Sequence, residues 1–287
     1  GSRYLDPDGS FPNHIPNPED KEAMESITEA VKETNADLGI IFDTDVDRAG
    51  AVLSDGSELN RNRIIAMLAA ILLREYPGTT IVTDSITSTG LAKFIEEKGG
   101  VYHRFKRGYR NVINESIRLN SLGQDSQLAI ETSGHGAFKE NYFLDDGAYI
   151  VTKLLIELAR GKKEGYTLES LIASLEEPAE SIEFRMNILE DDFKTYGQKV
   201  IDELNVYAQK QAGWTLAPSN YEGVRVNLDD SHGCGWFLLR LSLHDPLLPL
   251  NIESNIIGGA KKIAQELSEF LARYDKLDAK SLLNYTK

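Results

Sequence analysis

The stretch TIVTDSITSTGLAKFIEEKGGVYHRF, Thr80 to Phe105, decides the fold class. TIVTD reads as a strand, STGLAKFIEEKGG as a helix closed by its glycines, and VYHRF as a second strand. A strand that returns through a helix to another strand lies parallel to it in a covered sheet. The same alternation continues in both directions. Upstream lies a helical segment, about Asn60–Tyr76; downstream come the helix NVINESIRL and the strand QLAIE. Nearer the start, Asn17 is placed to cap a helix with Pro18 at its first position, and Glu19 and Asp20 suit the positive end. Ala23, Met24, Ile27, Ala30 and Val31 then recur at helical spacing. LGIIF (Leu38–Phe42) follows as a strand apolar on both faces, expected in the centre of a covered sheet. AGAVLSDGSEL reads as the next strand, turning at Asp55-Gly56. The fold class is α/β with mixed and parallel sheets.

Near Glu176-Glu177-Pro178 the pattern changes. ESIEFRMNIL is a strand and DDFKTYGQKVIDELNVYAQKQ a long helix, after which the strands GVRVNL, GWFLLRLS and LPLNIES bunch before a last helix from about Gly259. Bunched strands mark a separate α+β module. With 287 residues, 41% hydrophobic and 26% charged, the chain has room for two or three domains of ordinary globular composition. A net charge of −14 speaks against nucleic acid and anionic membrane surfaces as partners. The longest apolar run, IIAMLAAILL between Arg63 and Arg74, is too short to span a bilayer and reads as a buried helix. A lone cysteine, Cys234, excludes an internal disulfide framework and fits the cytoplasm. GSRYLDPDGS reads as a cloning remnant joined to the middle of a longer chain.

Directly after LGIIF come Asp43, Asp45 and Asp47, then Arg48. Strand alternation sets residues i, i+2 and i+4 on one side, so the three carboxylates can converge. Each close pair repels by about 1 kcal/mol in water and several-fold more in a cleft, which a cation between them would reverse. Carboxylate oxygens without histidine or thiolate suit Mg²⁺, Ca²⁺ or Mn²⁺, and three protein oxygens leave octahedral Mg²⁺ open to a phosphate oxygen. Arg48 suits that same phosphate. The plainer reading is a solvated acidic loop. An EF-hand is excluded, because Arg48 stands where its loop needs glycine and Ser54 where it needs glutamate. A haloacid-dehalogenase-like phosphatase is the alternative enzyme, with Asp43 as nucleophile and Asp45 as acid. It would call on Ser85 or Thr87, Lys106 and Asp145-Asp146, and leaves Asp47 and Arg48 without a part. A non-catalytic sugar-phosphate or metal-binding protein is a third reading.

At the end of QLAIE the segment IETSGHGAFKENYFLDDGAY offers Glu131, Ser133 and His135 around Gly134, where sites of α/β sheets form. Glutamate and serine at this spacing can bind adjacent sugar hydroxyls, and histidine can carry a proton near neutral pH.

Together these loops resemble the α-D-phosphohexomutase superfamily, the phosphoglucomutase/phosphomannomutase enzymes. The metal loop of D-x-D-x-D-R form is seen as Asp43, Asp45, Asp47 and Arg48, and the sugar loop of G/E-E-x-S-G-H form as Glu131, Ser133, Gly134 and His135. PDGSFPNHIPNPE, VTDSITSTGL and FKRGYRNV are similar to further family segments, with Arg110 where the family often has lysine. The phosphate cradle of R-x-S-N/G-T-E-P form is matched by Arg240, Ser242 and Pro246, whereas Leu243, His244 and Asp245 depart from it and remove two hydroxyl or amide donors. The resemblance implies the tail of a second domain over residues 1–57, a third domain over 58–176 and a fourth, TATA-box-binding-protein-like α+β domain over 177–287. It also implies Mg²⁺ on Asp43, Asp45 and Asp47, with Arg48 and His135 catalytic. Arg110, Glu131, Ser133, Arg240 and Ser242 would bind a hexose phosphate. The family's phosphoserine loop of T-A-S-H-N-P form does not occur in these residues; Ser231-His232 lacks its flanks and reads as a turn. The expectation is therefore a mutase of glucose or mannose phosphates whose serine lies in a missing N-terminal domain of the same chain, and a fragment inactive by itself. Thr132, where the glucosamine-phosphate branch commonly has glutamine, turns the reading away from that sugar.

Overall fold

In the computed structural model, which describes residues 1–242 and 245–287, the first helix starts later than the sequence pattern places it. Helix α1 (Lys21–Thr34) is capped by Asp20, whose carboxylate accepts the Ala23 amide at 3.0 Å. Asn17 instead accepts from the Glu19 amide at 3.0 Å and from Arg48 Nη1 at 3.2 Å, which holds it in the turn ahead of the helix. Both residue types cap well, but only Asp20 adds a negative charge at the positive end of the helix.

The chain divides into two units, Gly1–Glu176 and Glu177–Lys287. In the first, β1 (Leu38–Phe42) pairs antiparallel with β2 (Ala49–Leu53), and β2 pairs antiparallel with β3 (Glu58–Leu59). Strand β1 is thus an edge of this sheet and not its centre; fully buried β2 holds the middle. The apolar run misleads because both faces of β1 are covered. Ile41 packs with Met24 and Val31 of α1, while Leu38, Ile40 and Phe42 pack on the main core. Side-chain pattern reports what covers the faces of a strand and is blind to its hydrogen-bonded neighbours.

Parallel pairing is confined to the second sheet of this unit. After α2 (Arg61–Glu75), β4 (Thr80–Thr83) leads through α3 (Thr89–Glu97) to β5 (Val101–Arg104) on one side, and the chain returns through α4 (Tyr109–Ser121) to β6 (Ser126–Ile130) on the other. Strand β4 is parallel to both neighbours, and β7 (Gly136–Phe138) closes the order β5-β4-β6-β7 antiparallel to β6. Helix α5 (Gly147–Glu164), capped by Asp146, and α6 (Leu168–Leu171) complete the unit. Within α2 every residue from Ile64 to Leu73 is buried, as a helix apolar all round requires. Among the described residues no helix is long and apolar enough to cross a membrane.

The second unit is built on β8 (Glu180–Ile188), α7 (Phe193–Ala208), β9 (Trp214–Leu216), β10 (Val224–Leu228), β11 (Gly235–Leu239), β12 (Leu247–Ser254), α8 (Gly259–Leu271), β13 (Leu277–Asp278) and α9 (Lys280–Tyr285). Its antiparallel sheet runs β13-β8-β12-β11-β10-β9. Val224, Val226, Phe237, Leu239, Leu248, Leu250 and Ile252 alternate onto one face, where they share a core with Val200 and Leu204 of α7 and Ile263 and Leu267 of α8. Mixed α/β architecture followed by an α+β unit is what the sequence pattern predicts.

Candidate functional site

The order of the parallel strands creates the site. Crossovers leave β4 toward β5 on one side and reach β6 on the other, so the loops after β4 and β6 diverge at a switch point, where α/β sheets open a crevice. Asp84, at the end of β4 and fully buried, accepts Thr132 Oγ1 at 2.7 Å and the Thr132 amide at 3.3 Å. The loop that follows β6 is thereby tied to its neighbour. Glu131 lies 3% exposed beside it and accepts the Gly108 amide at 2.5 Å. Burial, reinforced by the negative charge of Asp84, pushes the Glu131 carboxyl up to about 7 against the opposing pull of Gly108, Arg107 and His135. Ser133 is buried, and its hydroxyl has no hydrogen-bond partner among the described residues. A buried hydroxyl left without a partner is costly unless a ligand completes it.

The turn continues into the first sheet. Gly134 takes φ +96°, and a Cβ there would stand 2.7 Å from the Ala49 carbonyl oxygen, so this position needs glycine. Its carbonyl accepts the Ala49 amide, and His135 forms an antiparallel bridge with Arg48. Main-chain pairing therefore sews the acidic loop to the histidine loop.

The aspartates converge by a different route from the one strand spacing suggests. Strand β1 ends at Phe42 and residues 43–47 bend, with Val46 at φ +65°. This left-handed conformation is strained for a β-branched residue. Its carbonyl is held by the Gly147 amide at 2.9 Å. One oxygen each of Asp43, Asp45 and Asp47 can lie within 4.8 Å of the others. At that separation each charged pair costs about 3.5 kcal/mol at an effective dielectric of about 20.

Arg48 relieves part of this repulsion. Its Nε donates to Asp43 Oδ2 at 2.7 Å and its amide to Asp43 Oδ1 at 3.1 Å. Burial raises the Asp43 carboxyl, but the bonds from Arg48 outweigh it and hold the group below its ordinary value. Asp47 is the counterpart. Burial and the neighbouring Asp43 push it up to about 6 despite the charge of His135. Among the described residues its buried Oδ1 has no hydrogen bond and lies 4.0 Å from Arg48 Nε. An all-oxygen donor set with one buried oxygen lacking a hydrogen bond fits a hard divalent cation such as Mg²⁺. Asp43, with both oxygens engaged by Arg48, is poorly set up as the nucleophile of a phosphatase.

His135 stands at the junction. Its Nδ1 lies 2.7 Å from Asp145 Oδ2 and 3.7 Å from Asp47 Oδ2. Burial works against the imidazolium, yet Asp145, Asp47 and Glu131 together raise the group above its ordinary value. The ring of Tyr109 stacks on the imidazole at 5.1 Å, and the Arg110 guanidinium sits 5.6 Å over the Tyr109 ring. The first unit thus gathers Asp43, Asp45, Asp47, Arg48, Glu131, Ser133 and His135, with Arg110 at the edge of the group.

Arg240 and Ser242 belong to the second unit. There Arg240 Nη1 is 3.7 Å from Glu222 Oε1, and Ser242 Oγ accepts the Asp245 amide at 3.2 Å. Leu243 and His244, two of the three departures from the phosphate cradle, lie outside the described residues. Ser231-His232 sits in a turn. The serine donates to Asp229 Oδ1 at 2.8 Å, and the histidine Nδ1 is 3.0 Å from Glu266.

Sequence reasoning missed Asp84, Gly108 and Tyr109 as members of the site, and it considered Asp145 only for a phosphatase. Each reaches the site through a loop that the sheet order alone brings near. Proximity to the recognised motifs (FKRGYRNV for Gly108 and Tyr109, VTDSITSTGL for Asp84) was the available signal.

Residues 2–56 match the profile of phosphoglucomutase/phosphomannomutase alpha/beta/alpha domain II, and residues 60–178 that of alpha/beta/alpha domain III. The chain is 32% identical over 274 residues to a phosphomannomutase/phosphoglucomutase of Pseudomonas putida, covering 95% of this chain and 55% of that protein. It is 30% identical over 261 residues to a phosphoglucomutase of Neisseria gonorrhoeae, covering 91% of this chain and 53% of that protein. Among solved structures, a phosphoglucomutase/phosphomannomutase family protein of Burkholderia thailandensis superposes with a TM-score of 0.77 at 30% identity, over 94% of this chain and 55% of its own. The chain spans about half the length of the curated relatives it matches.

Proposed function

Since the chain belongs to the phosphoglucomutase/phosphomannomutase family, we propose that it is the metal- and sugar-binding part of a phosphohexomutase. That enzyme interconverts the 1- and 6-phosphates of glucose or mannose through a phosphoserine and a hexose bisphosphate. The observation that carries this reading is the Arg48–His135 main-chain bridge, which joins the loop of the three aspartates to the Glu131–His135 loop. These 287 residues hold no T-A-S-H-N-P-like loop, so the proposal places the phosphoserine outside them.

Asp43, Asp45 and Asp47 would hold Mg²⁺. When bound, the ion neutralises the phosphoryl group that is transferred. Arg48 orients Asp43 and sets its own positive charge beside that group. Glu131 and Ser133 accept from and donate to adjacent ring hydroxyls, a grip that serves a hexose in either orientation. As the serine O–P bond breaks and a bond to the sugar hydroxyl oxygen forms, His135 takes the hydroxyl proton. In the second half of the cycle the other phosphate returns to serine and His135 gives the proton back. Arg240 and Ser242, in the second unit, would bind a phosphate group as a charge-assisted pair.

The test is turnover of glucose 1-phosphate to glucose 6-phosphate by a chain that includes the phosphoserine domain. Activity lost on Asp45→Asn or Asp47→Asn, with an unchanged fold, supports the assignment. Wild-type rates in those variants would sink it. Release of free phosphate with Asp43 essential would identify a phosphatase instead.

A further inference from the structure

A histidine that carries a proton must present one defined nitrogen, and the surroundings of His135 select it. The 2.7 Å separation of His135 Nδ1 from Asp145 Oδ2 leaves room for one proton and nothing larger. A carboxylate only accepts, so in the neutral imidazole that proton sits on Nδ1.

Asp145 is itself held from several sides. Its other oxygen accepts the Gly136 amide at 3.1 Å, and its backbone bridges Ala137 of β7. The next residue, Asp146, caps α5 by accepting the Tyr149 amide at 2.9 Å, and its own amide donates to the Gly136 carbonyl at 3.2 Å. The His135 side is equally constrained. Its carbonyl accepts the Glu131 amide at 2.9 Å, its backbone bridges Arg48, and one ring face is covered by Tyr109. Ligand atoms of Asp47, His135 and Asp145 also fall within 4.8 Å of one another. Yet two lone pairs at 2.7 Å repel, whereas a shared proton makes the same contact attractive.

We propose that Asp145 is the positioning residue that fixes His135 as the Nδ1–H tautomer and leaves Nε2 as the nitrogen that takes and returns the substrate proton. Its use in catalysis rests on the proton-carrying role of His135 proposed above; the tautomer itself does not. Partners that orient a functional histidine in this way typically account for 10–100-fold in activity or affinity.

The experiment is a long-range ¹H–¹⁵N correlation spectrum of the imidazole rings of the 287-residue protein. It is recorded with chelator present, at a pH where the rings are neutral, and the His135 signals are assigned with His135→Gln. The expected spectrum shows a protonated Nδ1 and a bare Nε2. Asp145→Asn, whose single oxygen is claimed by the Gly136 amide so that its NH₂ faces Nδ1, and Asp145→Ala both reverse it to the Nε2–H form. An Nε2–H signal in the unsubstituted protein, or no change in Asp145→Ala, overturns the proposal. Should Asp145→Ala fail to fold for want of the Gly136 bond, the unsubstituted and Asp145→Asn spectra decide alone. In a chain carrying the phosphoserine, Asp145→Asn and Asp145→Ala are each expected to lose at least 10–100-fold in kcat with little change in KM. No turnover at all alongside the expected tautomer would remove the mutase reading and leave the tautomer assignment standing.

Discussion

Asp43 and Asp47 are chemically alike and are driven apart by what faces them. Arg48 covers both oxygens of Asp43, while Asp47, whose Oδ1 lies 4.0 Å from Arg48 Nε with no hydrogen bond among the described residues, has a raised pKa. Exposed Asp45 makes the cleanest test of metal binding. Asp45→Asn is expected to weaken Mg²⁺ binding at least tenfold by calorimetry, with stability changed by no more than about 0.5 kcal/mol. Asp43→Asn should do both, weakening the metal and costing about 1.5–3 kcal/mol as the charged bonds from Arg48 are lost. Protons compete with the cation for Asp47, so Mg²⁺ affinity is expected to fall as pH drops through about 6. Glu131 has the opposite bearing on stability. Its carboxyl titrates near 7 folded and near 4.5 unfolded, so between those values only the folded state holds the proton. Stability therefore declines as pH rises from about 4.5 to 7 and stays low above. Glu131→Gln should unfold about 2–3 kcal/mol harder than the parent at pH 8 and match it below pH 4, in urea titrations at each pH. That the three aspartates cluster was legible from their spacing. Their unequal acidity was not, because it depends on neighbours supplied by other loops.

At the level of elements, the start of α5 holds the aspartate loop in its strained bend. The Gly147 amide binds the Val46 carbonyl, and a Cβ on Gly147 would stand 2.8 Å from that oxygen and 2.9 Å from the Arg48 carbonyl carbon. Alanine favours a helix over glycine by about 1 kcal/mol, but rigid backbone on both sides leaves the clash no outlet. Gly147→Ala is therefore expected to destabilise by about 1–3 kcal/mol net and to weaken Mg²⁺ binding, measured by thermal unfolding and calorimetry. Most elements of the first unit could be read from the sequence. β-branched runs and glycine stops mark TIVT and VYHR, and a continuous apolar helix marks Ile64–Leu73. The reading left β7, α5 and α6 unassigned, and elsewhere it failed on pairing. LGIIF has the pattern of a central strand because α1 covers one face and the main core the other, yet only β2 bonds to it. The DTDVD segment has strand spacing but bends, since its carboxylates and Arg48 bond locally across the turn. The short β9, β13 and α9 carry too few residues to show a period.

Across the whole molecule, the two units hold separate cores, and the proposed metal site is built entirely from the first. Leu204→Ala, in the fully buried face of α7, should destabilise the second unit by about 2–5 kcal/mol while Mg²⁺ binding by the first stays as it was. Calorimetric titration beside a denaturation curve separates the two effects. The 287-residue chain is expected to show no glucose 1-phosphate to glucose 6-phosphate turnover, in a coupled assay where a relative carrying its phosphoserine is active. Sequence by itself determined the α/β class, the change of character near Glu176 and the two polar loops, because burial and turn chemistry are written in local residue patterns. Tertiary structure alone decided which strands are neighbours, that Arg48 bridges His135, and that Asp84, Asp145 and Tyr109 close around the crevice. Sheet order and main-chain pairing, which are nearly independent of side-chain identity and leave little trace in the sequence, bring the loops together, and the side-chain contacts of Asp84, Asp145 and Tyr109 form only once they are in place.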